Sequence, residues 1–106
     1  MKGFGNLMKE AQKLQAQLEA LKEEVGKKKV EASAGGGMVV VEANGNQELL
    51  SIRIDREVIT PDDPQMLEDL VLAAANEALR KARELVASEM SRVAGGLGAK
   101  LPGLMS

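Results

Sequence analysis

Lys2, Lys9 and Lys13 stand at intervals of seven and four near the start of the chain, and Lys81, Ser88 and Arg92 repeat those intervals near its end. On a helix turning about 100° per residue, the first three fall within about 40° of one another and make one row of ammonium groups. Arg80 and Arg83 flank Lys81 and add two more cations to the later segment. A row of cations on one helix face attracts a row of anions, and its bland alternative is a helix face kept in water.

Other chemistry is scarce. The chain has no His and no Cys, so the commonest general base, the commonest transition-metal ligand, thiolate nucleophiles and disulfides are all missing. Asp62 and Asp63 lie between Pro61 and Pro64, a pattern that marks the start of a helix better than a cation site. Gly35-Gly36-Gly37 sits between two strand-like runs, and Gly95-Gly96-Leu97-Gly98 lacks the lysine and hydroxyl of a nucleotide loop. No catalytic constellation assembles, so the sequence predicts no enzyme, no cofactor, no metal and no small-molecule substrate. It also has neither a span-length apolar run nor the apolar core of a signal peptide, from which a cytoplasmic protein without membrane contact is expected.

The 106 residues suffice for one domain with an aliphatic core, Phe4 being the only aromatic. The net charge is −2, yet sign is segregated: residues 1–18 carry +2, residues 80–106 carry +3, and between them six basic residues face thirteen acidic ones. Both ends are basic and the middle is acidic.

Those ends need elements to carry them. Phe4, Ala11, Leu18 and Val25 recur every seven residues with Leu7, Leu14 and Leu21 three after the first three, which predicts a helix from about Gly5 to Val25 with a seam that wants a helical partner. The lysine row lies almost opposite that seam. Gly26 ends the helix, and three strands follow: Val30, Ala32 and Ala34 alternating with polar residues, the continuous run Met38 to Val41, and Leu50, Ile52 and Ile54 in alternation. The Gly35 triplet and Asn44-Gly45 turn them into an antiparallel meander. The unbroken run at Met38 predicts a strand covered on both faces.

From Thr60 the chain reads as one long helix to Val93, acidic and proline-bearing at its front and basic later, with a flexible, poorly ordered tail expected from Ala94 to Ser106. Its half from Leu67 to Leu79 is apolar on nearly every side and is expected to meet the sheet and a second subunit. Its later half thins to a seam of Ala82, Val86, Met90 and Val93, which should pair with the first helix as a projecting antiparallel arm. The fold class is α+β: helix, three-stranded meander and long C-terminal helix, possibly broken in two. Val39, Val41, Leu67, Leu70, Val71 and Ala74 are the residues expected at a dimer interface.

The run from Gly3 to Lys13 (Gly3-Phe4-Gly5-Asn6-Leu7-Met8-Lys9-Glu10-Ala11-Gln12-Lys13), the strand end Ile52-Arg53-Ile54-Asp55, and Met66-Leu67-Glu68-Asp69-Leu70-Val71 with Ala74-Ala75-Asn76-Glu77-Ala78 resemble the YbaB/EbfC family of bacterial nucleoid-associated proteins. The resemblance covers nearly the whole chain. It implies a single such domain over residues 1–93, a tweezer-like homodimer whose helical arms project from a joined sheet, and binding to double-stranded DNA with modest sequence preference in the nucleoid. The family's contacts on projecting helices correspond here to Lys9 and Lys13. Charge alone extends the set to Lys2, Arg80, Lys81, Arg83 and Arg92. The alternative is an adaptor that uses the helical seam to dock a partner protein, with DNA binding incidental.

Overall fold

Val30, Ala32 and Ala34 alternate with Lys29, Glu31 and Ser33, and this run forms the expected first strand. The computed structural model describes residues 2–100, with side chains from Gly3 to Gly96. Its elements in order are α1 (Lys2–Gly26), β1 (Lys29–Ala34), β2 (Val39–Asn44), β3 (Leu49–Ile54), a single 3-10 turn (Arg56–Val58) and α2 (Pro64–Lys100). The strands form one antiparallel sheet in the order β1-β2-β3. Gly35, Gly36 and Gly37 all take positive φ, which is why three glycines join β1 to β2. The β2–β3 connection is longer than an Asn-Gly pair. β2 runs through Asn44, the turn occupies residues 45–48, and the left-handed residue is Gln47, not Gly45.

Asp63 starts α2, its Oδ1 accepting the Met66 N–H at 3.1 Å with Pro64 as the first helical residue. The helix therefore begins three residues after the end of the Thr60-Pro61 stretch rather than within it. It is unbroken, and it continues past Val93 to Lys100. Gly95 and Gly96 weaken a helix by about 1 kcal/mol each against Ala but do not forbid one, and no proline intervenes before Pro102. Residues 101–106 of the expected tail lie outside the described residues.

The first half of α2 lies over β1 and β2 and touches β3 far less. Ala74, Ala78 and Ala82, at intervals of four, form a stripe of small side chains that lets the helix axis come close to the sheet, and all three are fully buried. Ala74 and Ala78 pack with Ala32, Val39, Val41, Ala43 and Val58 in an aliphatic core of small residues. Val39, Val41 and Ala74, expected at a subunit interface, are thus closed off inside the single chain and offer no surface to a partner.

The opposite face of the sheet is polar. Lys29 reaches Glu42 at 4.0 Å and Arg53 reaches Glu31 at 3.4 Å across it, with Val40 half-buried among them. Among the described residues β2 is covered on one face only. The unbroken apolar run there reflects one residue, Val40, on a charged face rather than a second apolar layer.

Candidate nucleic-acid interface

Helix α1 leaves the body almost at once. Val25 is buried, Leu14, Leu18 and Leu21 are half-buried, and most of the rest of the helix from Gly3 onward is exposed. The molecule measures 75 × 23 × 15 Å. That long axis exceeds the roughly 55 Å of a 37-residue helix, so α1 extends beyond α2 instead of folding back along the sheet. At the body, Val25 and Lys22 share a depression with Val86 and Met90, where α1 arrives as α2 departs. The heptad seam meets α2 at its Val25 end. Further out, Phe4, Leu7 and Met8 are exposed, at 64%, 67% and 49%.

Lys9 and Lys13 stand on this outer half. Both are exposed, and among the described residues neither takes part in a salt bridge. Glu10 is the only acidic residue between Gly3 and Leu18, so the outer arm keeps a positive balance. Lys2 belongs to α1 by its backbone, and its side chain lies outside the described residues.

The cations of α2 are placed differently. Arg80 lies between Glu77 and Glu84 and bonds both, which raises its pKa above the usual guanidinium range, chiefly through the hydrogen bond to Glu77. The same bond holds the Glu77 carboxyl below its usual value. Lys81 Nζ donates to the Glu31 carbonyl oxygen at 2.9 Å, satisfying an acceptor of the sheet's outer strand. Arg92 pairs with Glu89, whose carboxylate also accepts from Lys28 Nζ at 2.9 Å. Glu89 is held below the usual carboxylate value first by Lys28, against the opposing effect of burial, and then by Arg92. Of the row Lys81, Ser88, Arg92, both cations are therefore already engaged by groups of the same chain, although all three residues are exposed.

Arg83 is exposed and in no salt bridge among the described residues, as are Lys22 and Arg56. It does not join the outer lysines. Arg83 precedes Val86 by three residues and Lys13 precedes Val25 by twelve, which separates the two by about 22 Å along the arm. The two basic faces are not brought together. The distance between Arg80 and its acids was legible at intervals of three and four, whereas the Lys81 contact spans fifty residues and left no local mark.

The model of the YbaB/EbfC DNA-binding family matches residues 1–97. The chain belongs to the YbaB/EbfC family. Among its relatives, a nucleoid-associated protein of Acetivibrio thermocellus is 55% identical over 96% of this chain and 93% of its own length. A nucleoid-associated protein of Syntrophobacter fumaroxidans is 51% identical over 97% of this chain and 96% of its own. The crystal structure of an uncharacterized Helicobacter pylori protein shares the fold at a TM-score of 0.60, with 23% identity, over 74% of this chain and 90% of that one. No described helix of this YbaB/EbfC chain is long and apolar enough to cross a membrane.

Proposed function

We propose that this protein is a non-enzymatic, nucleoid-associated DNA-binding protein that holds duplex DNA by the outer half of α1, with Lys9 and Lys13 on phosphates. The observation that carries it is the pair of exposed lysines without acidic partners, close together on a helix standing clear of the body. Lysines are flexible point charges and phosphate contacts carry no sequence information, so discrimination between sequences is low. Stacking on single-stranded bases has no support, with Phe4 the only aromatic. The family match and the names of the relatives point the same way and give the adaptor alternative nothing.

The same reading makes the protein a homodimer. Ile52 and Leu49 pair with Val41 and Ala43, on the face that α2 covers elsewhere, yet they are 45% and 44% exposed because α2 lies to one side. Leu67, Leu70 and Val71 are half-buried along the adjoining helix. Together they offer an apolar surface of the kind that a second copy covers. Two arms then contribute four lysines.

Fluorescence anisotropy on an unrelated duplex across a salt series tests this. Four lysines on phosphates give log affinity against log salt a slope of about −3.6. Binding that ignores salt, or none at low salt, removes the proposal.

A further inference from the structure

The β2–β3 turn meets the C-terminal end of α1 main chain to main chain. Gly45 is buried, and its N–H donates to the Lys28 carbonyl oxygen at 3.0 Å. A Cβ built on Gly45 would stand 2.3 Å from the Val25 carbonyl oxygen and 3.1 Å from Gly26 Cα. Every atom it meets is backbone, so no side chain can rotate away to admit it. The φ of Gly45 is not in the left-handed region, which leaves space, not conformation, as the reason for glycine. Gly26 differs: a Cβ there would meet the Asn46 side chain, which can swing aside.

The turn is braced from within. Asn44 Oδ1 accepts from the N–H groups of Asn46 at 3.0 Å and Glu48 at 3.1 Å, and its amide donates to Glu48 Oε1 at 2.9 Å. Beside it, the Lys28–Glu89 pair ties the end of α1 to α2 at 2.9 Å. The helix end is therefore seated on a stiff turn and clasped sideways to its neighbour.

This junction has leverage. Lys9 lies sixteen residues out from Val25, about 24 Å, so a tilt of about 10° at the junction moves it by about 4 Å, more than a hydrogen bond can follow.

We propose that Gly45 is a positioning residue for DNA binding: the β2–β3 turn sets the direction of α1, the Lys28–Glu89 clasp holds it, and Lys9 and Lys13 are aimed by both. The proposal rests on the reading that those lysines hold DNA.

The test compares Gly45→Ala, Lys28→Met and Lys28→Arg with the wild type. Residual dipolar couplings of backbone amides report the orientation of α1 relative to the sheet, and anisotropy reports duplex affinity. In Gly45→Ala the sheet couplings should fit an unchanged sheet while those of α1 require a new orientation, and affinity should fall about fivefold or more as the lysines of the two arms lose register with the duplex. Lys28→Met should reduce the α1 couplings by averaging and weaken binding by about threefold, with Lys28→Arg, which keeps the clasp, restoring both. An unchanged α1 orientation in Gly45→Ala overturns the proposal, as does a reoriented α1 with unchanged affinity. Should Gly45→Ala not fold, Lys28→Met and Lys28→Arg decide alone, since Lys28 is 42% exposed in its side chain: equal affinities for the two overturn it. A wild type that binds no duplex at low salt defeats the functional reading and the positioning role with it, and the couplings then still decide whether the turn directs α1.

Discussion

At Arg80 the guanidinium is shared between Glu77 and Glu84, so the three residues together carry −1, whereas the ammonium of Lys13 stands alone on an exposed arm. A phosphate that approaches Arg80 must displace carboxylates already in place; at Lys13 it displaces water and small ions. Charge reversal at Lys9 and Lys13 together should therefore reduce duplex affinity by about tenfold or more, while Arg80→Ala should leave it within about twofold, both read by anisotropy at fixed salt. Glu89 makes a different prediction. Its pKa lies below the unfolded value because Lys28 and Arg92 favour the carboxylate, so its contribution is present above the ordinary carboxylate pKa and is lost as pH falls through the lower folded value. Thermal melts of wild type and Glu89→Gln should thus differ near neutral pH and converge in acid. The intervals of three and four around Arg80 were open to inspection in the sequence, and counting cations without their helical neighbours hid them. What Lys81 does was not open to inspection, because only the packing of α2 on β1 brings Glu31 within its reach.

The elements followed the patterning closely where a pattern had one physical cause. Leu14, Leu18, Leu21 and Val25 advertised a helical seam and are half-buried or buried, with α2 beside Val25. Phe4, Leu7 and Ala11 share the same spacing and are exposed, since periodicity reports a face and not how far its partner extends. Val39 and Val41 read as interface because β2 is apolar in succession, and alanine at 74 looked equally ready for a subunit or a sheet. Burial depends on where α2 lies, over β1 and β2, and no local signal states that. The start of α2 was local: an Asp before a Pro is a cap. Asp63→Ala should cost about 1 kcal/mol and lower the melting temperature by about 4–8 °C, measurable by circular dichroism, with the α2 start fraying first.

For the whole molecule the asymmetry of α2 matters most. By lying over two strands out of three it leaves β3 with Leu49 and Ile52 in the open among the described residues. Ile52→Asp should keep the fold, because the side chain is solvent-facing in one chain, and should halve the mass found by light scattering. Duplex affinity should fall with it, since in the proposed dimer two arms joined through one body would bind in a partly intramolecular second step. The basic ends and acidic middle of the sequence gain meaning at this scale: in the proposed binding mode the acidic residues of the body would repel the duplex, and the arm would keep the contact at a distance.

The 75 Å length carries a further consequence for how such molecules share a chromosome. A body of that length laid along B-form DNA would shadow about two helical turns, near twenty base pairs, whereas an arm crossing the duplex would shadow a fraction of one turn. The first arrangement saturates DNA at low occupancy and leaves room for little else. The second lets many copies crowd one region while most base pairs stay open to other readers. The size of the nuclease footprint per bound molecule therefore says whether this fold covers the genome or merely stands on it.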